Sequence, residues 1–180
     1  MLPGRLTTGS LGAIGEWQLN LRTQTLHWYP LDREPVTLPT RGVTQRTLTD
    51  TAINVLAHAG YRLDLDRARL GGEDSLEPNP ATAAAYGDAL TAIFSLFERL
   101  RATLPGAKTP LVVWPHGFDL SFLWFRKQVG TEEAPHLSFG FSPASAGLDR
   151  PYFYAYAPPV PPGLTDAPLP EPARWHTAGW

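Results

Sequence analysis

Large apolar side chains recur at every second position through much of the C-terminal half of the chain. The strings are TPLVVWPHGFDLSFLWF at 109–125, PHLSFGFSP at 135–143 and RPYFYAYAPP at 150–159. A period of two is the signature of a β-strand, and aromatic and β-branched residues favour strands. Proline, glycine, serine and alanine separate the segments. We therefore predict four strands, at Leu111–Trp114, Phe118–Phe125, Leu137–Phe141 and Tyr152–Tyr156.

This alternation leaves apolar side chains on both faces of the predicted sheet. In the last strand, Phe153 and Ala155 point to one side, whereas Tyr152, Tyr154 and Tyr156 point to the other. One face of such a sheet is expected to pack beneath helices. The aromatic surplus on the second face has three interpretations: a ligand cleft, a dimer interface, or a surface covered by the chain's own tail.

Three further strands are predicted before the first helix and one after it. Their ranges are Glu16–Leu21, Thr25–Tyr29, Val36–Leu38 (an edge strand) and Tyr61–Leu65.

Two helices interrupt the strands. Thr47 and Asp50 have the spacing of a capping box at the start of the first, and Gly60 is typical of its end. The second begins at Asn79-Pro80, since asparagine caps helices and proline suits the first helical position. Apolar residues at steps of three and four continue this helix to Pro105-Gly106.

These elements predict an α+β fold. We expect a mostly antiparallel sheet with both helices packed on one face. Residues 1–14 are interpreted as a loose leader, residues 15–157 as a single α+β domain, and residues 158–180 as a proline-rich tail. The tail is expected to be docked, either on its own domain or on a neighbouring subunit.

Composition narrows the classes of function. The net charge of −2 argues against nucleic-acid binding, and no apolar run is long enough to suggest a membrane partner. The chain has no cysteine, which excludes disulfides and thiolate chemistry. No secretory signal is evident, so we expect a soluble cytoplasmic protein. No glycine-rich phosphate loop occurs, and no cofactor is predicted.

The candidate site residues lie in the aromatic half. His116, Asp119 and His136 could ligate a metal ion or share acid–base chemistry, provided that Pro115–Gly117 breaks the strand so that they converge. Alternatively, Asp119 accepts hydrogen bonds from the backbone or a tyrosine and so fixes a corner, while His116 is exposed. The side chains that could form a stacking platform for a flat ligand are Trp114, Tyr152, Tyr154 and Tyr156. The alternative is a face packed against the tail.

The same region resembles the bacterial family catalogued as domain of unknown function 5996. The residues that carry the resemblance are Trp114, Phe118-Asp119-Leu120, Gly140-Phe141-Ser142-Pro143 and Pro151-Tyr152-Phe153-Tyr154-Ala155-Tyr156. It covers about residues 15–160 and implies the fold but no activity. Two features depart from the family pattern: the chain lacks a tryptophan-rich N-terminal segment, and it has Pro115-His116-Gly117 where many members have Gly-Ser or Glu-His.

Three hypotheses of function follow from the sequence. The first is a non-catalytic domain that binds a small molecule or a partner through its aromatic sheet face. The second is a small enzyme, with or without a metal ion, centred on Asp119, His116 and His136. The third is a structural or assembly role served by the tail. The sequence names no partner and leaves open whether the chain forms a homodimer.

Overall fold

The architecture is described from a computed structural model, which covers residues 4–12, 14–61, 63–66, 70–126, 130, 134–145 and 147–176. The chain divides into two compact units, Met1–Leu96 and Phe97–Trp180, and the boundary falls inside the second helix. Each unit is described separately. Whether residues 15–157 fold as a single domain stays a prediction.

The first unit contains a four-stranded antiparallel sheet, a two-stranded ribbon and a helix. The sheet has the order β1-β2-β3-β4, with β1 at Arg5–Thr7, β2 at Gly15–Asn20, β3 at Thr25–Pro30 and β4 at Val36–Pro39. The ribbon pairs β5 at Val43–Thr44 with β6 at Ser75–Leu76, and helix α1 spans Gln45–His58. Strand β1 was not predicted and lies within the stretch interpreted as a leader. Val36–Pro39 is an edge strand, as expected.

The core of the first unit lies between its sheet and α1. Trp17 and Trp28 face each other across β2 and β3, with ring centroids 5.2 Å apart, and both are buried. Leu38 joins them from β4. Apolar side chains of α1 pack against this cluster from Leu48, Ala52, Val55 and Leu56. The sequence predicts a helical stripe at Ala52, Ile53, Leu56 and Ala59, of which Ala52, Leu56 and Ala59 pack against this cluster.

The N-cap of helix α1 lies three residues before the predicted cap, Thr47. Thr44 is the N-cap, because its hydroxyl oxygen accepts a hydrogen bond of 3.0 Å from the backbone N–H of Thr47. Thr47 therefore lies inside the first turn, where it serves as the partner rather than the cap. The helix ends as predicted, since Gly60 follows it with φ of +93° and its N–H donates to Ala57 O.

Tyr61–Leu65 was wrongly predicted as a strand. The described residues of this stretch, 61 and 63–65, adopt no strand, whereas residue 62 lies outside the described part. The backbone N–H of Tyr61 donates to Leu56 O at 2.9 Å, which closes the end of α1. Its phenol donates to Leu11 O at 3.2 Å. Leu63 and Leu65, the other apolar members of the alternation, are exposed.

Helix α2 spans Pro80–Thr103, and the second unit comprises its C-terminal end and an antiparallel sheet. The strands are β7 at Ala107–Lys108, β8 at Val112–Trp114, β9 at Asp119–Phe125, β10 at Leu137–Ser142 and β11 at Tyr152–Tyr156. The sheet order is β11-β10-β9, with β7 and β8 both paired to the remaining edge of β9. All four strands predicted in the aromatic half are present, within one or two residues at their ends.

Strands β7 and β8 act as one interrupted edge strand. Lys108 pairs with Trp124 and Val112 with Ser121, so four steps on this edge match three on β9. The edge thus has one residue more than β9 over this stretch, and the interruption lies at Pro110 and Leu111. Because proline has no N–H to donate, an interruption at this point costs the ladder little.

One face of this sheet packs against α2. The ring of Phe97 lies 5.9 Å from that of Phe122 and 5.9 Å from that of Phe153, and the Arg101 guanidinium carbon lies 5.7 Å from the Phe122 centroid. The fold is thus α+β with antiparallel sheets, as predicted, although the strands form three sheets rather than one. The docking of the proline-rich tail stays a prediction. No helix in the described part of the chain is long and apolar enough to cross a membrane.

Candidate ligand-binding site

The sheet of the second unit has one face that points away from Phe97. This face carries small side chains on β10 and aromatic rings on the flanking strands. By strand register, β10 presents Ser138, Gly140 and Ser142, and β9 presents Asp119, Ser121 and Leu123. The flanking strands present Trp114 from β8 and Tyr152, Tyr154 and Tyr156 from β11. The smaller residues between the Trp114 ring and the row of tyrosines make a trough, which we call the aromatic cleft.

Gly140 allows one tyrosine to cross the floor of this cleft. Gly140 is the register partner of Tyr154, and a Cβ atom added at Gly140 would fall inside the phenol ring's van der Waals envelope. With no side chain there, the ring passes over β10 and its hydroxyl donates a hydrogen bond to Oδ2 of Asp119 on β9. Burial, and then this carboxylate, raise the pKa of Tyr154 well above its ordinary value of 10.0, so the phenol remains a donor.

The turn that joins β8 to β9 brings His116 and Asp119 to the same cleft. The N–H of Phe118 donates to Trp114 O at 2.8 Å, and Phe118 has φ of +54°, a left-handed conformation that is uncommon for a large residue. Phe118 thus belongs to the turn rather than to the strand in which it was predicted. Pro115–Gly117 breaks the strand, which is the condition set for convergence of His116 and Asp119.

His136 is buried at the edge of the cleft, with 7% of its surface exposed. Its Nδ1 lies 2.7 Å from Ala134 O, and because a carbonyl only accepts, Nδ1 carries the proton. The ring lies 5.5 Å from that of Phe125 and 6.3 Å from that of Tyr156. Its backbone N–H donates to Pro158 O at 3.3 Å, which ties the start of the tail to this edge.

Two adjoining cavities occupy the aromatic cleft. The larger has a volume of about 730 Å³ and the smaller about 370 Å³. The residues that line both are His116, Asp119, Tyr154, Tyr156 and Pro158. The larger is also lined by Tyr152, and the smaller by Trp114 and His136. All seven candidate residues from the sequence therefore line one or both of these cavities.

The geometry does not assemble a three-ligand metal site from the candidate residues. Within the described ranges, no group of three histidine, aspartate or glutamate side chains is placed to hold one metal ion. His116, Asp119 and His136 share a cavity without forming such a set. The cleft offers aromatic rings, hydrogen-bonding groups, two imidazoles and the Asp119 carboxylate.

Several residues that shape the cleft were not predicted. Ser121 accepts a hydrogen bond of 2.8 Å from Trp114 Nε1, and Ser145 accepts one of 2.7 Å from the Tyr152 phenol. Pro158–Val160 line one end of the larger cavity. The available signal was the string SFGFS at 138–142, in which small residues alternate with phenylalanine. In a strand, that alternation places every small residue on one face.

The fold and the site define a class of protein: an α+β protein with an aromatic-walled cleft on the sheet of its second unit. More particularly, the chain belongs to the family of unknown function DUF5996, which matches residues 44–179. The resemblance found in the sequence is thereby confirmed. The match begins at the N-cap of α1 and includes every strand that lines the cleft. No curated protein and no solved structure matches the chain.

Proposed function

We propose that this protein binds a small molecule in the aromatic cleft. The observation that carries the proposal is the cavity of about 730 Å³ between Asp119, the three tyrosines of β11 and the start of the tail. Ligand sites in proteins commonly enclose about 300–1,000 Å³, with mostly apolar walls and a few polar groups. The larger cavity has that size and that composition.

The walls of the cleft are held in place by their own hydrogen bonds. The Tyr152 phenol donates to Ser145, the Tyr154 phenol to Asp119 and the Trp114 indole to Ser121. Side chains that are already ordered lose little conformational entropy when a ligand arrives, which favours binding. The rings are already ordered around a carboxylate. This arrangement supports a ligand-binding role for this face of the sheet.

In the described part of the chain, the start of the tail borders the cleft and a cavity remains beside it. Pro158–Val160 line the larger cavity, and Val160 is 65% exposed. A face wholly sealed by residues 158–180, with no pocket beside it, would have counted against a binding role; the covering of this face by the tail stays a prediction. A cavity that the first tail residues border fits a binding role.

Blocking the cleft tests the proposal. Ala144 is exposed and lines the larger cavity, so Ala144→Trp should fill part of that volume without disturbing the buried core. Ala102 is exposed near the end of α2, away from the described cavities, and Ala102→Trp is the matched control. We would screen a library of small aromatic compounds by NMR, following the indole N–H signal of Trp114. Hits should bind the wild type and Ala102→Trp alike and bind Ala144→Trp at least about tenfold more weakly. Equal binding to all three proteins, or no hit at the Trp114 signal, would refute the proposal.

A further inference from the structure

We propose that the ligand of the aromatic cleft is a small organic cation, an ammonium group carried on an apolar body. This inference rests on the proposed function and names the ligand class for the same site. It draws on three observations about the cleft: its formal charge, the surroundings of the Asp119 carboxylate, and the placement of the aromatic rings.

The formal charge of the cleft is negative. Asp119 is the one aspartate or glutamate among the described residues that line the two cavities, and those residues include no lysine or arginine. His116 and His136 are the other titratable lining groups besides the tyrosines. Arg126 lines a third cavity, which shares only His136 with the cleft. A carboxylate in such surroundings attracts a cation and disfavours an anion.

The Asp119 carboxylate has one oxygen engaged and one flanked by a glycine. Oδ2 accepts the hydrogen bond from the Tyr154 phenol. Oδ1 lies close to Gly117: a Cβ atom built on Gly117 would be 3.2 Å from Oδ1. Because Gly117 has no side chain and lines the larger cavity, it leaves the approach to Oδ1 open to a ligand. The tyrosine thus fixes the carboxylate and the glycine provides access to it.

Aromatic rings flank this carboxylate. Trp114 is the register partner of Asp119 on β8, and Tyr154 reaches it from β11. Tyr156 stacks beside Tyr154 at 5.9 Å and 22°, and Tyr152 lies 6.2 Å from Tyr154 on its other side. The faces of tyrosine and tryptophan rings carry partial negative charge and attract ammonium groups within about 6 Å. Rings and carboxylate therefore favour the same kind of ligand.

A neutral flat ligand would use only part of this site. It could stack on the tyrosines, but it would displace water from Asp119 without offering a charge in return, and uncompensated desolvation of a carboxylate is unfavourable. A cation gains from stacking and from the carboxylate together. The two ligand classes therefore differ in affinity, and the difference should depend on Asp119.

Three probes of similar shape test the ligand class: phenyltrimethylammonium, neutral tert-butylbenzene and anionic benzenesulfonate. Their dissociation constants would be measured by NMR titration at the Trp114 indole signal. We expect phenyltrimethylammonium to bind about tenfold more tightly than tert-butylbenzene, and benzenesulfonate more weakly than either. Asp119→Asn should abolish the preference for the cation. Asp149→Asn removes the same charge from an exposed residue outside the cavity linings, and this variant should keep the preference for the cation.

A second variant keeps the test decisive if Asp119→Asn fails to fold. Tyr156→Leu removes a ring that is 43% exposed and should weaken phenyltrimethylammonium binding by about threefold more than it weakens tert-butylbenzene binding. Neutral and cationic probes of equal affinity, or equal effects of Asp119→Asn and Asp149→Asn, would overturn the inference while the binding site stands. If screening hits bind at Trp114 but none of the three probes does, the inference about a cationic ligand fails while the binding site stands. If nothing binds there, the proposed function fails as well.

Discussion

Tyr154 and Asp119 form the central residue pair of the cleft. The phenol crosses β10 above Gly140 and donates to the carboxylate, so each group fixes the orientation of the other. Hydrogen bonds to charged groups are among the stronger ones in proteins, at about 1.5–3 kcal/mol when sheltered from water. In this site the bond holds a carboxylate at a defined height above the floor, which is what recognition of a charged ligand group requires.

Ionisation of Tyr154 provides a test at the residue scale. Because burial and the nearby carboxylate raise its pKa above 10.0, the phenolate absorbance of wild type and Tyr154→Phe should be equal at about pH 10, where an unperturbed tyrosine is half ionised, and differ only at higher pH. Asp119→Asn should lower the pH at which the Tyr154 phenolate appears. The Tyr154 pKa should still stay above 10.0, because burial is the largest cause of its increase. A difference between wild type and Tyr154→Phe near pH 10 would contradict the described contact.

The same shift determines the direction of a stability change at alkaline pH. The folded chain holds the Tyr154 proton more tightly than the unfolded chain, whose tyrosine ionises near pH 10. Its contribution to the free energy of unfolding is therefore fully present below pH 10 and is lost as pH rises toward the folded pKa. Denaturant titrations of wild type and Tyr154→Phe at increasing pH would show wild type losing more stability above pH 10.

At the scale of the element, strand β10 shows how one short sequence serves two faces. Phe139 and Phe141 lie on the side of the sheet that packs with Phe122 and Phe153, whereas Ser138, Gly140 and Ser142 make the floor of the cleft. The period-two pattern was enough to predict this strand. It did not predict that the small residues matter, because glycine and serine between strands also look like punctuation.

Element boundaries were the least predictable part of the fold, as α1 shows. Threonine stands at positions 44, 47, 49 and 51, and each is a plausible cap by residue type. The choice of Thr44 depends on the β5–β6 ribbon, which places that residue in extended backbone, with ψ of 156°. A pairing between residues about 30 positions apart in sequence has no local signature, so the sequence alone could not select the cap.

Replacement of the α1 cap tests that assignment. Thr44→Ala should lower the free energy of unfolding by about 1 kcal/mol, because the N–H of Thr47 loses its acceptor. Thr51→Ala is the control: Thr51 is exposed within the helix, and alanine favours helix, so stability should be unchanged or slightly higher. Urea denaturation would measure both. A larger loss for Thr51→Ala than for Thr44→Ala would refute the cap.

At the scale of the whole molecule, the sequence predicted the fold class and the neighbourhood of the site but not the division of the strands. The seven candidate residues meet in the cleft because alternation fixed which face each occupies, and Pro115–Gly117 indicated the turn. The existence of separate sheets could not be predicted, because hairpin patterns specify which neighbours pair and not where pairing stops. The depth of the cleft depends on Gly140 and Tyr154, whose contact spans two strands.

Removal of the distal tail separates the binding role from the assembly role. The described lining of the cleft ends at Val160, so a chain shortened to residues 1–160 should bind phenyltrimethylammonium with an affinity within about twofold of the full chain. Light scattering on the same two samples would measure their molecular mass. An unchanged mass contradicts the hypothesis that the tail mediates assembly, and a large loss of affinity would show that residues beyond Val160 contribute to the site.

The small side chains beneath the aromatic cleft differ in how far each is committed to a neighbour. Gly140 is committed to Tyr154, Ser121 to Trp114, and the Ser142 hydroxyl donates to Ala144 O. Ser138 differs: its hydroxyl is buried and forms no hydrogen bond with the described residues. Substitution there breaks no hydrogen bond with the described residues. Because Ser138 is 1% exposed, however, a larger residue would have to displace its packed neighbours.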